Sequence, residues 1–128
     1  MAPTVAASSA DQELRDLKQR DAKGTAADRR NVMRDIARLE REYPNDYRFP
    51  YERAKLAAKG SKRTSRTEVF KALNVAAEKA ITTGKANEML TGLETDKTGD
   101  FSELAQGRNE WTRLVVALKR KDTSLLSE

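Results

Sequence analysis

The chain has 128 residues, 18 of them alanine, with only six glycines and three prolines; that length and composition exclude a large multidomain enzyme, an all-β sandwich and a collagen-like rod. Cysteine and histidine are both absent, which removes disulfides, thiolate-zinc and Fe–S sites, thiol nucleophiles, imidazole ligands and the usual general base at neutral pH. The net charge of +5 resides in the first half: residues 1–64 carry 15 Lys/Arg against 10 Asp/Glu, whereas residues 65–128 carry 10 of each.

The first residues, Met1 to Ala10, lack a basic region and a long apolar run, so they predict neither a signal peptide nor a membrane anchor but a disordered lead over 1–9 of a cytoplasmic chain. Ser9 and Gln12 can form a capping box for a helix near 10–22 that carries Leu14 and Leu17, with Gly24 just beyond its end. Thr25 is placed to cap a second helix, with Asp28 in the first turn where the helix dipole favours an anion. There Val32, Ile36, Leu39 and Tyr43 recur at steps of four, three and four, while Arg29, Arg30, Arg34, Arg38 and Arg41 lie largely off that stripe, and Pro44 ends the helix.

A third helix starts at Tyr47 after an Asp46 cap, or at Pro50, and runs to about Lys59, with Tyr51, Ala54 and Ala58 on one face. Gly60 closes it, and a basic loop, Ser61-Lys-Arg-Thr64, follows. Ser65 and Glu68 form a second capping box that opens the strongest helix, marked by Phe70, Leu73, Ala77, Ala80 and Ile81 and terminated at Gly84. A shorter helix is expected near 85–93, with Ala86, Met89, Leu90 and Leu93. Asp100 and Glu103 suit the start of another short piece that holds Phe101 and Leu104. The last helix, near 109–121, places Trp111, Leu114, Val115 and Leu118 together and ends in Lys119-Arg-Lys121, cations that suit a helix C-terminus. Residues 122–128 read as a frayed tail. The sum is an all-α fold: six or seven short antiparallel helices in a single thin-cored domain over 10–121.

The segment 43–84 resembles a tetratricopeptide-type helical repeat. It has a Pro ending one helix (Tyr43-Pro44), an Asp soon after, a Tyr51-x-x-Ala54 helix, Gly60 near its end, and a second helix with Phe70 and the pair Ala76-Ala77. The basic loop lengthens the turn beyond the usual period of about 34 residues, and no Pro recurs one period after Pro44. The resemblance implies paired helices in an array and a partner segment lying along the first helix of each pair.

Asp96, Thr98 and Asp100 occupy alternate positions of a calcium loop, but Phe101 stands where glycine is required and Gly107 where a bidentate Glu is required, so no metal site is expected. The stretch Gly60-Ser-Lys-Arg-Thr-Ser-Arg66 lacks the second glycine of a phosphate loop. Tyr43, Tyr47, Phe49 and Tyr51, interleaved with Arg48 and Arg53, form the densest aromatic cluster and are expected to fasten the second helix to the third.

These features predict a non-enzymatic protein-interaction module with no cofactor. Arg48, Glu52, Lys55 and Lys59, on the side of the third helix expected to be exposed, are its candidate contacts for an acidic or C-terminal segment of a partner protein. The alternative is a sequence-independent nucleic-acid contact through Lys59, Lys62, Arg63 and Arg66, which the sequence pI near 9.6 favours.

Overall fold

A computed structural model describes residues 5–22, 26–60, 66–106 and 109–126. Among them the chain is all-α: α1 (Val5–Ala22), α2 (Ala26–Glu42), α3 (Arg48–Gly60), α4 (Arg66–Thr82), α5 (Ala86–Asp96), α6 (Ser102–Ala105) and α7 (Asn109–Arg120), followed by a 3₁₀ turn at Thr123–Leu125. The helices fall into two compact units, residues 1–44 and residues 45–128.

The first unit is the pair α1 and α2. Ala10, Leu14 and Leu17 of α1 and Val32, Ile36 and Leu39 of α2 are buried, each set stepping by four and three so that it forms one helical face. A 2.7 Å ion pair from Arg20 to Asp35 ties the end of α1 to the middle of α2. Both partners are about a third exposed, so this pair fixes the approach of the helices more than it adds stability. Helix α1 begins at Val5, earlier than the Ser9 capping box suggests. The alanine-rich stretch before Ser9 is itself good helix, and Ser9 is an exposed interior residue. The expected Gly24 stop and Thr25 cap lie outside the described residues.

In the second unit α4 is the central element. It buries Val69, Phe70, Ala72, Leu73, Ala76, Ala77 and Ala80, and it packs on α3, α5 and α7. The four alanines let neighbouring backbones come close, which is how a chain poor in large aliphatics still closes a core. Asp46 caps α3: its Oδ1 accepts from the Arg48 backbone N–H at 3.0 Å, which settles the helix start in favour of the Asp46 signal. Pro50 falls within the first turn, where its missing N–H costs nothing. The Ser65 cap of α4 and residues 61–64 are outside the described residues.

The α4–α5 connection is a Schellman turn: Lys85 N–H donates to Ala80 C=O at 2.7 Å and Gly84 N–H to Ile81 C=O at 3.3 Å, with Gly84 at φ 77°. Helix α5 runs to Asp96, a turn further than its apolar residues suggest. Phe101, not Asp100, occupies the cap position of α6, and no side chain caps that helix. Phe101 is fully buried and joins a run of ring contacts, Tyr47 to Tyr51 (6.3 Å between centroids), Tyr51 to Phe101 (5.8 Å) and Phe101 to Trp111 (6.0 Å). Residues 122–126, expected to fray, form the 3₁₀ turn instead, and Leu126 packs against the core.

Candidate functional site

Tyr47, in the turn that leads into α3, and Tyr51 and Lys55 within it follow at intervals of four, and Glu88, Gly92 and Asp96 do the same along α5, so each trio makes one stripe. The stripes meet in order. Tyr47 Oη donates to Glu88 Oε2 at 2.9 Å, and Tyr51 Oη donates to Asp96 Oδ2 at 2.6 Å. A Cβ on Gly92 would stand 3.3 Å from Tyr51 Oη, so the glycine makes room for the phenol. Lys55 Nζ lies 3.9 Å from Asp96 Oδ2 and 3.9 Å from Glu52 Oε2. Because the order of contacts is the same along both helices, α3 and α5 run side by side in the same sense.

The two phenols are held protonated well above the usual phenol range. Burial is the larger cause for each, and the hydrogen bond to a carboxylate comes next. Each hydroxyl therefore stays protonated near neutral pH. Their chemistry here is to donate a proton into a fixed bond and to anchor α5 on α3.

This geometry changes the picture of the expected contact residues. Arg48, Glu52 and Lys55 are partly buried, not displayed on an open face. The Arg48 guanidinium is held by Asp46, with Nε to Oδ1 at 2.9 Å and a terminal nitrogen to Oδ2 at 2.8 Å. The Glu52 and Lys55 side chains retain 13% and 21% of their exposure, and Lys55 is shared between two carboxylates of its own chain. At Lys55 α5 contributes to this, since its C-terminal carboxylate, Asp96, lies against that side chain. Lys59, at the end of α3, is exposed. Arg66 at the start of α4 is exposed as well, while Lys62 and Arg63 lie outside the described residues.

Within the aromatic cluster, Tyr47 and Tyr51 also join α3 to α5 through Glu88 and Asp96. Glu88 and Gly92 escaped notice in the sequence. Their four-residue spacing with Asp96 is visible there, but its match to the Tyr47 and Tyr51 stripe is a tertiary fact. In the Asp96–Asp100 loop the first carboxylate is engaged by Tyr51 and Lys55, and Phe101 fills the position of the required glycine. Among the described residues no group of three or more His, Cys, Asp or Glu is arranged to hold a metal ion. No described helix is long and apolar enough to cross a membrane. No protein-family model, curated protein or solved structure matches the chain.

Proposed function

We propose that the chain is a non-enzymatic protein-interaction module of tetratricopeptide-like build that takes an acidic or C-terminal segment of a partner protein. The observation that carries this reading is the side-by-side, same-sense arrangement of α3 and α5, locked by the two tyrosine–carboxylate bonds. In a tetratricopeptide-like array these are the first helices of successive pairs, and a partner segment lies along them. Within the candidate set the cationic weight falls on Lys59, which is exposed, and on Lys55, whose nearest carboxylates at 3.9 Å are loose enough to be exchanged for a partner's. Arg48, clamped by Asp46, contributes least.

Fluorescence anisotropy with labelled acidic peptides, each with a free or an amidated C-terminus, tests the assignment. The variant combining Lys55→Gln with Lys59→Glu should weaken the best peptide about tenfold or more, equivalent to about 1.4 kcal/mol. Lys55 is neutralised rather than reversed because a third carboxylate beside Glu52 and Asp96 would perturb the fold. Unchanged affinity in that variant would reject the face.

A second reading, contact with nucleic acid through Lys59, Lys62, Arg63 and Arg66, draws support from the exposure of Lys59 and Arg66 at either side of the basic segment. A gel-shift titration at two salt concentrations separates it from the first, because phosphate contacts weaken steeply as salt rises.

A further inference from the structure

The outward face of α2 carries a different feature. At about 100° per residue, Arg30, Arg34, Arg38 and Arg41 fall within an arc of about 80° directly opposite the buried Val32, Ile36 and Leu39. All four are exposed. The other residues of α2 in or beside that arc are Ala27, Asn31 and Ala37, none of them charged, and the acidic residues of α2, Asp28, Asp35, Glu40 and Glu42, lie on its flanks. Arg38, at one edge, donates to Glu42 at 3.0 Å and also feels Asp35 and Glu13. Among the described residues Arg34 bonds the neutral Asn31 amide, at 3.3 Å. Arg30, Arg34 and Arg41 have no carboxylate partner among the described residues.

We propose that this arginine ridge binds the phosphate backbone of duplex nucleic acid, without regard to sequence. The ridge spans about 16 Å, the rise of about 1.5 Å per residue from Arg30 to Arg41, and one strand of a duplex presents about five phosphates over that length of its axis. Arginine is the cation whose planar fork matches phosphate oxygens in pairs. No aromatic residue sits on the ridge to stack an unpaired base, so the duplex is favoured over a single strand. A membrane surface fits poorly: interfacial helices bury an apolar face in the lipid, and the apolar face of α2 is already buried in the protein. The ridge belongs to the first compact unit and is distinct from the basic 59–66 segment in the second.

The test is anisotropy of the full chain with a labelled duplex DNA of about 20 base pairs at a series of salt concentrations. Arg30→Gln, Arg34→Gln, Arg38→Gln and Arg41→Gln combined should weaken binding at least tenfold at low salt. The slope of log K against log salt should become shallower by about 0.9 for each phosphate that the protein no longer neutralises. The milder Arg30→Gln/Arg41→Gln pair removes only residues with no carboxylate partner, keeps the fold by circular dichroism, and should flatten the slope by about 1.8. Neutralising Lys59, Lys62, Arg63 and Arg66 instead should leave the ridge's share of the slope in place, and a second duplex of unrelated sequence should bind alike. Binding unchanged in the ridge variants, or binding to phosphatidylserine vesicles but to no duplex, would overturn the proposal.

Discussion

The Tyr51 hydroxyl meets three constraints at once: the Asp96 carboxylate that accepts its proton, the Gly92 backbone that leaves it room, and the ring contacts on either side. Tyr51→Phe keeps the rings and deletes only the oxygen. Asp96 then retains Lys55 but loses its shortest bond, and hydrogen bonds to charged groups contribute about 1.5–3 kcal/mol. The variant should lose about 1–2 kcal/mol, read as a lower urea midpoint at unchanged slope; an unmoved midpoint would mean that the bond adds nothing to the fold. The same bond sets a pH dependence. Folding raises the proton affinity of Tyr47 and Tyr51, chiefly through burial, so the folded chain holds phenol protons that the unfolded chain gives up above about pH 10. The stabilisation is complete below that pH and declines as pH rises toward the folded values. In an alkaline titration these tyrosines should release their protons only as the chain unfolds, and the urea midpoint of Tyr51→Phe should fall less steeply with pH than that of the parent.

At the scale of the helix, two ends use one backbone design with different residues. Helix α4 stops at Gly84, φ 77°, and α7 stops at Lys121, φ 54°, each in the left-handed region. The bonds correspond: Asp122 N–H donates to Ala117 C=O at 3.0 Å and Lys121 N–H to Leu118 C=O at 3.3 Å, as Lys85 and Gly84 do at the end of α4. A side chain at the left-handed position costs about 1–2 kcal/mol that glycine avoids, although glycine gives part of this back through unfolded-chain entropy. Gly84→Ala should therefore destabilise by about 1 kcal/mol, even though nothing lies within 4 Å of the added carbon. Lys121→Gly should stabilise by about 0.5–1 kcal/mol. Opposite shifts in thermal midpoint check both, and a loss of stability in Lys121→Gly would refute the shared design. The Gly84 stop was readable because residue type and conformation coincide. At Lys121 the sequence showed only a cation suited to a helix end, since lysine carries no sign of a positive φ. The same division runs through the site. Each stripe on α3 and α5 is local and visible in the spacing, but their pairing joins residues 41 and 45 positions apart and appears only when the helices pack.

At the scale of the molecule, the core is unequally shared. The second unit closes around α4, with buried residues from α3 to α7 in one cluster, whereas the described residues of the first unit, on α1 and α2, include six buried apolar ones. Composition made the helical class and the thin core legible, because alanine dominates and large aliphatics are few. It did not reveal two compact units, because nothing at Pro44 distinguishes a turn within a domain from a boundary between units. Local stability follows buried apolar contact, and fewer of the described buried apolar residues belong to the first unit than to the second. Native-state hydrogen exchange should therefore find the amides of Leu14, Leu17, Ile36 and Leu39 opening at lower free energy than those of Leu73, Ala76, Met89 and Leu114, with the gap persisting in low urea. If the α2 ridge holds duplex DNA, saturating duplex should raise protection in the first set far more than in the second, since a ligand stabilises the state that binds it. Equal protection across both sets in the free chain would mean one cooperative body, and the division at residues 44 and 45 would then carry no energetic meaning.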